Sequence, residues 1–125
     1  MEPFNESSSD FCYFMRSQEG CHFTSETQLK IIRILYPKLM VSGLETVISA
    51  SDNTGIAVLI NVMRVYKSAG DIFEKVGHLN TQTYSSTNDD WIEANKLISS
   101  IGKPFWQSET GSGGSKDQTL SRTLS

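Results

Sequence analysis

TVISASDNTGIAVLINVMRVYKSAG, residues 46–70, passes from one hydrophobic periodicity to another without a break. Its first part, TVISA, is β-branched and apolar and leads into Ser51 and Asp52, the composition of a buried strand that ends in polar residues. Ile56, Leu59, Ile60, Met63 and Tyr66 then recur at three- and four-residue steps, one stripe of a helix that runs to Gly70. Downstream the pattern repeats. VGHLNTQTY (76–84) is a second strand-like run, TNDD (87–90) offers helix caps, and Trp91, Ala94, Leu97, Ile98 and Ile101 form another stripe closed by Gly102. KPFWQSE (103–109) is the third strand-like run. Upstream, SETQ (25–28) has the pattern of a capping box ahead of Leu29, Ile32, Leu35, Tyr36 and Leu39, and Pro37 predicts a kink or an end near Tyr36. Helix alternating with strand predicts an α/β fold with a parallel sheet. Ligands of such folds bind at the carboxyl ends of strands, so Asp52, Asn80, Tyr84 and Glu109 are expected to face one site.

The 125 residues suffice for one domain, or for a piece of a larger one. Eleven basic against 14 acidic side chains give a net charge of -3, and no Lys/Arg cluster interleaved with aromatics is present, which argues against nucleic acid as a partner. No apolar run approaches the roughly 20 residues that cross a bilayer; the longest, 56–65, contains Asn61 and Arg64, so no membrane span is expected. The start, MEPFNESSSD, lacks the cationic and apolar regions of a signal peptide. Cys12 and Cys21 have no His/Cys partners at zinc spacing, since His22 adjoins Cys21 and His78 is remote, so neither a metal nor a cofactor is expected. GSGGS (111–115) lacks the Gly-Lys-Ser/Thr ending of a phosphate-binding loop and reads as a flexible connection.

Asn5-Glu6 precedes a Ser-rich loop, and Glu109 ends the strand-like run WQSE (106–109). Two carboxylates on different strand ends are what glycoside hydrolysis uses: one gives a proton to the leaving oxygen, and the other attacks the sugar carbon or guides water to it. With 14 acids in the chain, a solvated surface charge is the competing reading for any one of them. Trp106 reads equally as a core aromatic, and Asn80 and Tyr84 as caps of backbone groups.

Several stretches, taken in order, resemble the catalytic barrel of glycoside hydrolase family 30, most of all its fungal endo-β-1,6-galactanase-like branch. PFNES (3–7) resembles the acid/base motif at the end of the fourth barrel strand, and QEGCHF (18–23) the loop after it. VISASD (47–52) is similar to the next strand, HLNTQTY (78–84) to the sixth, and GKPFWQSETG (102–111) to the seventh, which bears the nucleophile. The resemblance implies that residues 1–110 form part of a TIM (β/α)8 barrel, about four βα units, and that 111–125 are a Gly/Ser-rich loop and the start of the following helix. It implies a retaining O-glycosyl hydrolase acting on β-1,6-linked galactan or a related β-glycan. Glu6 would be the general acid/base and Glu109 the nucleophile, with Asn5 bonding the hydroxyl beside the reacting carbon and Asn80, Tyr84 and Trp106 lining the subsite. The implied partner is a polysaccharide or oligosaccharide, with no nucleic acid, membrane or cofactor, and the full-length parent would be extracellular. A whole barrel takes about 250 residues, so the expectation is a truncated form; the alternative is a non-catalytic remnant or a glycan-binding fragment. In a secreted parent Cys12 and Cys21 could close a loop. Ser7 stands where the family usually has proline, which would loosen the exit that aims Glu6, and it makes Asn5-Glu6-Ser7 a glycosylation sequon.

Overall fold

Each apolar stripe folds as a helix against a parallel sheet. A computed structural model describes residues 1–9 and 22–110; Cys12, Cys21, most of QEGCHF and residues 111–125, with their expected loop and helix start, lie outside the described residues. The elements are α1 (Ser25–Val41), β1 (Ile48–Asn53), α2 (Ile56–Ala69), the single turn α3 (Ile72–Lys75), β2 (Val76–Gln82), α4 (Asn88–Ile101) and β3 (Phe105–Glu109). The three strands pair in parallel in the order β1-β2-β3. The chain is therefore α/β, with three regular strands where about four βα units were expected. Residues 1–6 occupy the remaining edge of β1 without forming a regular strand. The Met1 amino group donates to the Val47 carbonyl (2.6 Å), Ser49 N–H to the Met1 carbonyl (2.8 Å) and Glu6 N–H to the Asp52 carbonyl (2.8 Å). Slanted bonds of this kind are those of a parallel pair.

Ile48, Ala50, Val76 and Leu79 bury one face of the sheet against Ile32, Ile56, Leu59, Met63 and Ile98 of the helices, and Phe4 joins the same core. Ser49, Asp52, His78, Asn80 and Trp106 belong to the other face. At α4 the sequence pattern folds as read: Thr87 and Asp90 form a reciprocal capping box, and Gly102 ends the helix at φ 72°. At α1 it does not. Thr24, one residue earlier than expected, accepts from Thr27 N–H (3.3 Å), because the Gln28 amide is drawn into the interior. Nor does Pro37 end this helix. The carbonyl that its missing N–H would have met belongs to exposed Arg33, and Leu39, buried with Leu29 and Ile32, holds the last turn in place.

The register slips twice between β1 and β2 and once between β2 and β3, and each slip has a use. Ile48 pairs with Val76 but Ser49 with His78, so Gly77 is an extra residue that lets both Val76 and Leu79 face the helices. A Cβ on Gly77 would lie 2.5 Å from the Val47 Cβ, so only glycine fits between the strands there. Gly77→Ala is expected to cost about 1–3 kcal/mol in chemical denaturation, the usual penalty of overpacking; an unchanged midpoint would mean that Val47 moves aside freely. The other two slips leave Asp52 extra on β1 and Ser108 extra on β3.

Candidate active site

Bulges near the carboxyl ends of β1 and β3 turn two side chains toward one another. Asp52, with φ at 46°, adopts the left-handed conformation that Asp and Asn tolerate better than most residues. Its Oδ1 accepts from Asn80 Nδ2 (3.2 Å) and from the Ser108 hydroxyl. Asn80 Nδ2 also donates to the Glu2 carboxylate. One residue beyond Ser108, Glu109 Oε1 accepts from the Tyr84 hydroxyl (2.6 Å). Tyr84 is held in turn by its N–H, which donates to the Thr54 carbonyl (3.1 Å). On the first strand edge, Asn5 is exposed, and its Oδ1 accepts from Gln82 Nε2 (3.3 Å).

Glu6 also has φ at 46°, and the chain leaves it through Ser7. Ser7 is fully buried; its Oγ accepts from Gln28 Nε2 (3.0 Å), and its carbonyl accepts from Phe23 N–H (2.8 Å). Gln28 Oε1 accepts from the Tyr66 hydroxyl (2.8 Å), so a buried relay from α2 through α1 anchors the residue next to Glu6. Buried polar groups satisfied at both ends hold a unique geometry, and this relay supplies the stiffness that Ser7 alone would lack.

Burial raises the proton affinity of the Glu6 carboxyl; a hydrogen bond with Thr54 opposes the effect, and the negative charges of Glu109 and Asp52 add to it. Burial likewise raises Asp52, with Ser108 and Gln82 opposing through hydrogen bonds and Glu109 adding charge repulsion. The carboxyl of Glu2, held by Asn80 and Ser49, is pushed up to about 7, first by desolvation and then by Asp52. Tyr84 holds its proton more tightly because it donates it to Glu109. Four carboxyl groups thus share a small region, and among them Glu2, desolvated first and repelled by Asp52 second, keeps its proton close to neutrality. Asn80 and Gln82 are both buried, and the Oδ1 of the first and the Oε1 of the second have no hydrogen-bond partner among the described residues. Among those residues no group of three or more His, Cys, Asp or Glu could hold a metal ion.

The endo-beta-1,6-galactanase of Hypocrea rufa is 27% identical to this chain over 124 residues, which cover 99% of the chain and 26% of that protein. The chain thus spans about a quarter of its relative's length. The similarity supports a glycoside hydrolase-like relationship. No family model matches the chain, and no solved structure matches it. No helix among the described residues is long and apolar enough to cross a membrane.

Of the residues singled out from the sequence, Glu6, Glu109, Tyr84, Asn5 and Asn80 fall in one region, connected through Asp52, Gln82 and Ser108. Trp106 lies on the same sheet face, opposite Asn80 in the register, but its ring contact is with His78, stacked at 4.1 Å. It is 55% exposed and so is not a core aromatic; Phe105 takes the inward position, edge-on to Trp91. The sequence reading gives Glu2 and Ser108 no place in the site and takes Gln28 only as part of a capping box. Glu2 carries no pattern that would mark it. Ser108 had one signal, its place beside Glu109.

Proposed function

We propose that this chain forms part of the active site of a retaining O-glycosyl hydrolase of the family 30 type, acting on β-1,6-linked galactan or a related β-glycan. Glu6 is the general acid/base and Glu109 the nucleophile. The observation that carries this reading is that Glu6 N–H donates to the Asp52 carbonyl (2.8 Å) while the Asp52 carboxylate accepts from Ser108, the neighbour of Glu109, so hydrogen bonds link the two acids although they come from opposite edges of the sheet. Three strand spacings separate their backbones, about 14 Å in a flat sheet. Strand ends linked by hydrogen bonds across that width fit a parallel sheet curved as an arc of a (β/α)8 barrel, with both acids at the carboxyl-end rim where barrel enzymes keep their chemistry.

The rest of the site supports the same roles. Glu109 would attack the anomeric carbon while Glu6 passes its proton to the departing oxygen; Glu6, now ionised, would then deprotonate the water that cleaves the glycosyl-enzyme. The Tyr84 hydroxyl steadies the attacking carboxylate. Exposed Trp106, stacked on His78, offers an apolar face to a pyranose ring. That platform also favours a second reading, glycan binding without turnover. The parent protein would be extracellular, where such a polymer is met.

The experiment is to incubate the protein with linear β-1,6-galacto-oligosaccharides and follow the anomeric protons by NMR. The β-anomer should appear first and mutarotate later. First release of the α-anomer would overturn the retaining mechanism, whereas ligand-induced shifts with no product would establish the binding reading.

A further inference from the structure

Asp52 bonds one member of the proposed catalytic pair and the chain neighbour of the other. Its backbone carbonyl accepts from Glu6 N–H (2.8 Å), and its carboxylate accepts from the hydroxyl of Ser108, the neighbour of Glu109. The residue is 5% exposed, sits as the extra residue of a bulge, and has a left-handed φ that aims its side chain along the sheet toward β3. The partner on β3 is also an extra residue. Two separate bulges therefore meet in one hydrogen bond, and Asn80 of the intervening strand braces it. A bulge disrupts its ladder locally, so one on each of two strands at the same level points to a shared positional task.

Resting on the assignment of Glu6 and Glu109 above, we propose that Asp52 is a positioning residue that ties the two carboxyl-bearing strand ends together and fixes the separation of Glu6 and Glu109. The tie runs Glu6 backbone, Asp52 carbonyl, Asp52 carboxylate, Ser108 hydroxyl, Glu109 backbone. The ionisable groups facing Asp52 are Glu2 and Glu6 from the N-terminal segment and Glu109 from β3; β2 contributes the neutral amides of Asn80 and Gln82. His78 lies on the same face of β2.

The test reads the interaction between Glu6 and Glu109 directly and needs no turnover. In the protein labelled with carboxyl-13C glutamate, the Glu6 titration midpoint is followed with and without Glu109→Gln, and the same pair is repeated in Asp52→Ala, Asp52→Asn and Ser108→Ala backgrounds. Removing the Glu109 charge should lower the Glu6 midpoint in the otherwise natural protein. In Asp52→Ala and Ser108→Ala that response should shrink to less than about half, because the tie is cut, while Asp52→Asn, whose side-chain oxygen still accepts from Ser108, should keep most of it. A residue with a merely structural role would lower thermal stability and leave the response intact. Equal responses in all backgrounds would overturn the proposal, and Ser108→Ala, at an exposed position, decides the matter if Asp52→Ala does not fold. Failure of the tie would leave the catalytic assignment standing, and absence of glycan cleavage would leave the titration result standing.

Discussion

Glu109→Gln is expected to lower cleavage of β-1,6-galactan by about 10⁴-fold or more in any preparation of the protein that releases reducing sugar from it, the scale on which loss of a nucleophile is felt. The substitution is nearly isosteric, and an amide oxygen can still accept from the Tyr84 hydroxyl that now bonds Glu109 Oε1, so the strand end should keep its shape. What is lost is the negative charge that makes the carboxylate oxygen a nucleophile toward the anomeric carbon. Glu109→Ala sharpens the test, because it opens space on the face from which the carboxylate would attack. Azide entering that space should form a glycosyl azide of inverted configuration, with Glu6 still present to protonate the leaving oxygen. Activity near that of the unaltered protein would remove Glu109 from the nucleophile's role. A large loss with no azide rescue, together with lost glycan binding, would assign it to substrate binding.

The three long helices and the strands were legible because each of those helices has a full apolar stripe and each strand is short and flanked by caps or glycines; the single turn α3 has no stripe and no such signal. Residues 56–69 fold as the stripe from Ile56 to Tyr66 indicates, and Thr87 with Asp90 starts α4 as the local pattern says. Asp52 and Asn80, and Tyr84 and Glu109, share a region because strand ends in a parallel sheet do so; the structure joins them as two hydrogen-bonded pairs. The start of α1 was misread by one residue, since Thr24 and Ser25 are equally good caps and only tertiary contact with Tyr66 decides what Gln28 does. Register was not legible. Whether Phe105 or Trp106 faces the core depends on pairing with β2, and the extra residues Gly77, Asp52 and Ser108 are defined by the strand opposite them rather than by their own neighbours. The place of Glu2 beneath Asn80 depends on an N-terminal segment that pairs with β1 through a few backbone bonds, a contact with no local sequence signature.

Glu6→Gln should separate two kinds of substrate. On galactan, whose leaving group is a sugar alkoxide that needs a proton, the rate should fall by about 10²–10⁴-fold, the usual contribution of a positioned acid. On an aryl β-galactoside with an acidic phenol the first step needs little protonation, so the loss there should be much smaller. The pH profile should change with it. Burial and the charges of Glu109 and Asp52 hold the Glu6 proton more tightly than an ordinary glutamate does, so the acid form persists to higher pH, and activity on galactan falls as pH rises through that raised value. Removing the titrating group should erase this alkaline limb. Glu6→Ala should in addition accept azide on the face that the water would use, giving a glycosyl azide of retained configuration, the opposite stereochemistry to that expected from Glu109→Ala. The two carboxylates are thus told apart by product configuration as well as by rate. An equal loss on both substrates with an unchanged alkaline limb would place Glu6 away from the leaving group, and the raised proton affinity would then reflect only its crowding with Asp52 and Glu109.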